Sequence, residues 1–132
     1  MPTIIVTGAA GVIGASVAKR LAARGTRLIL TDVGEQSLLD LAALIRATPE
    51  TTDAELALVT GDLVDPTFAQ HLVDLASAGG EELLGCVNAA GVENPVVRAT
   101  ELAIDDMRSS FEVNVFALTR MCQAVIRDLV AR

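Results

Sequence analysis

Three glycines and one acid carry the most readable chemistry in this chain. The segment TIIVTGAAGVIG runs from Thr3 to Gly14 and sets glycines at 8, 11 and 14. Ile4-Ile5-Val6 ahead of them is a short continuous apolar run, the pattern of a strand covered on both faces. Ile13, Val17 and Leu21 behind them recur at i, i+4 and i+8, one face of a helix. A strand that turns sharply into a helix needs residues with little or no side chain at the turn. Such a turn offers free backbone N–H groups and the positive end of a helix dipole, which together bind pyrophosphate. Gly8, Ala10, Gly11, Val12 and Ile13 are therefore the expected phosphate turn. Gly14 is expected to let the helix lie close on the strand, with Ala15 and Ala18 continuing the small surface. A tight turn that binds nothing would use the same glycines; the strand–turn–helix placement is what favours a ligand.

Asp32 follows the second apolar run, Leu28-Ile29-Leu30, and stands 18 residues beyond Gly14. An acid about 20 residues past the turn is the expected partner of the adenosine ribose hydroxyls. A carboxylate there would accept both hydroxyl hydrogens and oppose a 2′-phosphate. Neither Val33 nor the glycine turn supplies an Arg or Lys to reverse that preference. The expected cofactor is NAD, preferred over NADP. A turn or helix cap is the other use of an Asp at this place.

The elements that must hold these residues alternate in period. After the first strand and helix, Gly25 can take a left-handed cap. Leu38, Leu41, Ala42 and Ile45 make a second helical stripe that stops before Thr48-Pro49. Leu56, Leu58 and Val59 suggest a third strand. Asp65-Pro66 reads as a helix start, with Phe68, Leu72 and Leu75 on the helix and Gly79-Gly80 at its end. Leu83, Leu84, Cys86 and Val87 form a fourth strand. The last helix is expected over roughly 104 to 131, with the stripe Met107, Phe111, Val115, Leu118, Cys122, Val125 and Leu129. The alternation βαβαβαβα predicts an α/β fold: a parallel sheet with right-handed crossovers and helices on both faces. Residues 1–132 are expected to be a single, partial nucleotide-binding domain, without repeats or linkers.

Composition narrows the classes. With 132 residues the chain can bury a core, and with 3 Phe and no Trp or Tyr that core is aliphatic. Lys19 is the only Lys and His71 the only His, so a Tyr–Lys pair or a His cluster is excluded. A formal charge of −7 argues against nucleic acid or an anionic membrane as partner. Cys86 and Cys122 alone make neither a metal site nor a disulfide framework, and reduced thiols fit a cytoplasmic protein. Residues 2–18 are uncharged, but their positive flank, Lys19-Arg20, follows the apolar run instead of preceding it as in a signal peptide. His71 reads as a solvated surface residue and Cys122 as a small core residue.

With these residues in place, the chain resembles the short-chain dehydrogenase/reductase family over its whole length. Thr7-Gly8-Ala9-Ala10-Gly11-Val12-Ile13-Gly14 is similar to the family's cofactor turn, with the glycine spacing of the extended members; compact members usually have glycine at the place of Val12. Gly61-Asp62-Leu63 resembles the segment in which Asp62 would bond the adenine and Leu63 would pack on its ring. Val87-Asn88-Ala89-Ala90-Gly91 resembles the Asn-Asn-Ala-Gly motif of compact members, with Ala89 in place of the second Asn. The resemblance implies that this backbone lies beside the cofactor ribose and that Asn88 steadies the sheet. Phe111-Glu112-Val113-Asn114-Val115 resembles the stretch bearing the helix Asn of the catalytic group. These motifs together favour the compact branch. The resemblance implies a Rossmann-type sheet in the order 3-2-1-4, truncated after the fourth βα unit.

It also implies transfer of a hydride between cofactor and an alcohol or carbonyl, with a Tyr, a Lys and a Ser doing the proton work. Of that group only Asn114 is present, because those residues belong after the fifth strand and the sequence ends at Arg132. The 132 residues alone are expected to be inactive, as the cofactor-binding half of an oxidoreductase. A module that binds the adenosine half of NAD without chemistry, or a structural remnant, are the other readings. Asp62 would also serve as a loop cap, Asn88 as a strand-end bond and Asn114 as a bridge from helix to strand. Self-association is expected through the open fourth-strand edge or the last helix.

Overall fold

A computed structural model describes residues 1–132. Four parallel strands form one sheet in the order β3-β2-β1-β4. They are β1 (Pro2–Thr7), β2 (Arg27–Asp32), β3 (Leu56–Thr60) and β4 (Glu82–Asn88). Between them run α1 (Val12–Ala22), α2 (Glu35–Arg46) and α3 (Phe68–Ser77). After β4 come α4 (Ile104–Phe111), a π-helical turn over Glu112–Ala117 and α5 (Leu118–Val130), which together fill the span expected of one long helix.

The sheet divides the apolar residues between two cores because side chains alternate along a strand. Ile5 and Ile29 face α3 and α5, where Leu72, Val73, Met121 and Val125 cover them. Val6, Leu28 and Leu30 face α1 and α2, against Ala18, Leu38, Leu41 and Ile45. Strand β4 keeps Leu83 and Cys86 on the α3–α5 face, although their odd spacing would put them on opposite faces of a regular strand. The register explains it: Thr3 pairs with Leu83 and Ile4 with Gly85, so Leu84 is an extra residue that bulges outward, half exposed.

Turn chemistry closes the elements. Gly25 (φ +74°) sits in the left-handed region after α1 as expected, and Gly79 and Gly80 (φ +70° and +83°) do the same after α3. Helix α3 begins at Phe68, later than the expected Asp65-Pro66 start. Asp65 instead closes a turn ahead of the helix: its carboxylate accepts the Thr67 N–H (2.9 Å) and hydroxyl (2.8 Å), which hold its pKa below the usual value. Glu81 is likewise held low, first by the terminal amino group 2.7 Å away.

The last helix differs in one respect. Its buried face is Ala117, Met121, Ala124 and Val125, whereas Met107, Phe111, Val115, Leu118 and Leu129 of the expected stripe stay exposed. The π turn rotates α5 relative to α4, so no single stripe runs the length of the span.

Candidate functional site

An open cleft of about 490 Å³ lies at the carboxyl ends of the strands. The connection after β1 leads to α1 on one face and the connection after β4 leads to α4 and α5 on the other. The gap between these diverging chains is where open parallel sheets bind ligands.

The floor is main chain. Gly8 adopts φ +60°, and a Cβ there would lie 2.6 Å from the Ala90 backbone, so the β1 turn and the β4 loop touch without side chains between them. A Cβ on Gly14 would lie 2.2 Å from the Gly8 carbonyl oxygen, which is why α1 can start so close to the strand. The turn is braced from both sides: Ala9 N–H donates to Thr31 O (3.1 Å) and Ala89 N–H to Thr7 O (3.2 Å). The buried Thr7 hydroxyl accepts the Ala90 N–H at 3.4 Å. The first intrahelical bond of α1 runs from Ala15 N–H to Gly11 O, and the N–H groups of Val12, Ile13 and Gly14 have no acceptor within the chain. Val12 and Ile13 project into solvent, so that helix end is open to an anion. This cradle fits a diphosphate: bare backbone donors at a helix N-terminus, with no room for a Cβ.

Asp32 ends β2 beside the turn. One carboxylate oxygen accepts the Ala10 N–H at 2.9 Å and the other the Val33 N–H at 2.8 Å. Each oxygen keeps a further lone pair. Asp62 stands across the cleft and accepts the Val64 N–H at 3.0 Å, an Asx turn that shapes its own loop. The two are the only charged residues on the cleft wall.

The structure brings Gly8, Ala10, Gly11, Asp32, Val33, Asp62, Leu63, Ala89, Ala90 and Gly91 to the lining of one cleft, while Val12, Ile13 and Gly14 stand at the adjoining helix start. Asn88 lies elsewhere, on the exposed β4 edge. Its amide accepts from the Cys86 thiol (3.5 Å) and donates to Cys122 Sγ (3.6 Å). Burial, then the nearby Cys122, pushes the Cys86 thiol up to about 12. Asn114 lies behind the wall and grips Val92, accepting from its N–H and donating to its carbonyl, both at 2.8 Å. His71 is exposed on α3, its ring stacked on Phe68 with centroids 6.2 Å apart.

Thr31, Ser37, Gly61, Val92 and Val113 also line the cleft, and none was singled out from the sequence as a site residue. Ser37 arrives on the first turn of α2, and a Cβ on Gly34 would lie 3.2 Å from its hydroxyl. Its place five residues after Asp32, on the first turn of the following helix, is its only signal in the sequence. Val113 is delivered by the π turn, which no periodicity announces.

Residues 2–132 match the family model described as short chain dehydrogenase. The chain belongs to the short-chain dehydrogenase family. Its relatives include 1-deoxy-11-beta-hydroxypentalenate dehydrogenase of Streptomyces avermitilis, 32% identical over 97% of this chain and 46% of that protein. Among solved structures, NAD+-bound xylitol dehydrogenase superposes with a TM-score of 0.88 at 25% identity, over 98% of this chain and 48% of that one. A variant of actinorhodin polyketide ketoreductase with NADPH superposes with a TM-score of 0.83 at 25% identity, over 95% and 46%. The chain thus spans about half the length of these proteins. No helix is long and apolar enough to cross a membrane.

Proposed function

We propose that residues 1–132 are one nucleotide-binding unit, the cofactor-holding half of a cytoplasmic NAD-dependent oxidoreductase acting on an alcohol or carbonyl. The observation that carries this reading is the cradle itself: main-chain contact at Gly8 and Gly14, unpartnered amides at Val12 and Ile13, and the Asp32 carboxylate beside them.

Gly8, Ala10, Gly11, Val12 and Ile13 would hold the diphosphate, and Gly14 keeps the helix end within reach. Asp32 would accept the adenosine ribose hydroxyls on the lone pairs that Ala10 and Val33 leave free, beside Val33 on the wall. Asp62 and Leu63 would flank the adenine, and Ala89, Ala90 and Gly91 the nearer ribose. Asn88 steadies the strand end and Asn114 is the one member of the catalytic group present, acting here by holding Val92. When bound, the dinucleotide supplies hydride transfer. The chain's own residues bind and orient it; with no Tyr, and with Lys19 on α1, they hold no proton donor of the family's kind.

Titration calorimetry with NADH and NADPH tests the proposal. NADH binding with weaker or no NADPH binding is expected; tighter NADPH binding would remove the role given to Asp32. We further propose self-association through the β4 edge or the α4–α5 face, where Phe111 and Phe116 are half exposed. A clean monomer by light scattering at high concentration contradicts it.

A further inference from the structure

We propose that Arg120 is a positioning residue that couples the two ends of the cleft. Its Nη2 donates to Glu112 Oε1 at 2.9 Å and to the Val64 carbonyl at 3.3 Å. The second contact reaches the β3–α3 loop, whose Asp62 and Leu63 form one wall of the cleft. The first reaches the π turn, where Val113 lines the cleft and Asn114 grips Val92, another wall residue. A single guanidinium thus joins the adenine-side loop to the segment that holds the far end.

The π turn is what makes the pairing possible. In a plain α-helix, residues eight apart stand about 80° apart around the axis. One wider turn absorbs an extra residue, so Glu112 and Arg120 behave as if seven apart, misaligned by only about 20°. The ion pair therefore staples the π turn shut, and the turn sets Val113 and Asn114. Arg120 is about two-thirds buried, and its two Nη2 hydrogen bonds hold the guanidinium in one orientation while Nε is enclosed without a partner.

The dinucleotide part of this inference rests on the proposed function; the coupling does not. Amide hydrogen exchange on the free chain reads the coupling at three reporters: Val64, bonded to Asp62; Asp65, bonded to the Asp62 carbonyl; and Val92, bonded to Asn114. Arg120→Gln is expected to speed all three about tenfold while the amides of β1 and β2 keep their rates. Arg120→Lys should restore most of the protection. Glu112→Ala, which removes the acceptor and opens the staple but leaves the tether to Val64, should speed Val92 alone. Unchanged rates in Arg120→Gln, or uniform acceleration across the chain, would overturn the proposal. For binding, Arg120→Gln should weaken NADH about tenfold. Equal affinity in wild type and variant removes the role of Arg120, whereas no NADH binding by wild type overturns the reading of the cleft instead.

Discussion

Replacing Asp32 with Ala separates two jobs that one carboxylate performs. A carboxylate offers about four acceptor positions. Two are taken by the Ala10 and Val33 amides. The other two are the ones assigned to ribose hydroxyls. A hydrogen bond to a charged group contributes about 1.5–3 kcal/mol. Losing two at the lower end removes about 3 kcal/mol, and 1.4 kcal/mol is tenfold in affinity, so NADH should bind about 100-fold more weakly. The amides of Ala10 and Val33 sit near solvent and can turn to water, so stability should fall by only about 1–2 kcal/mol. For NADPH the sign differs. A unit charge 4 Å from a phosphate near a protein surface opposes it by about 4 kcal/mol before salt screening. Removing that opposition offsets the lost bonds, and the preference for NADH should collapse. Asp32→Asn is the control, since it keeps the shape and one carbonyl acceptor without the charge. Calorimetric titration of all three proteins with both dinucleotides, beside a thermal melt, gives the answer. A stability loss with NADH affinity intact would make Asp32 a brace for the turn and nothing more.

Other outcomes follow from the same geometry. Gly14→Ala sets a Cβ against backbone that cannot yield without moving α1, so it should destabilise by at least about 1 kcal/mol despite the better helix propensity of Ala. Gly25→Ala, with open space around it but φ +74°, should cost about 1–2 kcal/mol from backbone strain alone and leave dinucleotide binding unchanged, unlike Gly14→Ala. Cys86 supports the fold in its neutral form, with its pKa pushed up to about 12. That contribution is complete below the unfolded thiol value of about 8.5 and is lost as pH climbs from there toward 12. The slope is at most about 1.4 kcal/mol per pH unit. With no Tyr and one Lys in the chain, few other groups titrate in that window, so urea unfolding from pH 8 to 11 should be flatter in Cys86→Ala. An identical slope in the variant refutes it.

The order of strands and helices was legible because each period change is local: Ile4-Ile5-Val6 against Ile13, Val17 and Leu21, or Leu28-Ile29-Leu30 against Leu38, Leu41 and Ile45. Most of the cleft wall was legible for the same reason, since Gly8, Ala10, Gly11 and Asp32 sit at ends of those runs. What escaped depends on distance in space. Ser37 and Val113 reach the cleft only through the way α2 and the π turn pack. The stripe from Met107 to Leu129 assumed a regular helix, whereas a π turn interrupts the span and Met121 and Ala124 face the core. Asp65-Pro66 carries the residue types of a helix start, yet the Asp65 carboxylate spends its bonds on Thr67 and the helix waits until Phe68.

The partition of the apolar residues into two cores has a consequence for how this chain tolerates change. Leu72 belongs to one core and Leu38 to the other, with the thickness of the sheet between them. A void opened under α3 cannot be healed from the α2 side, and losses on the two sides should simply sum. The apolar faces of α3 and α5 can therefore be repacked, with Arg120 kept, while α1 and α2 beside the glycine turn are left untouched.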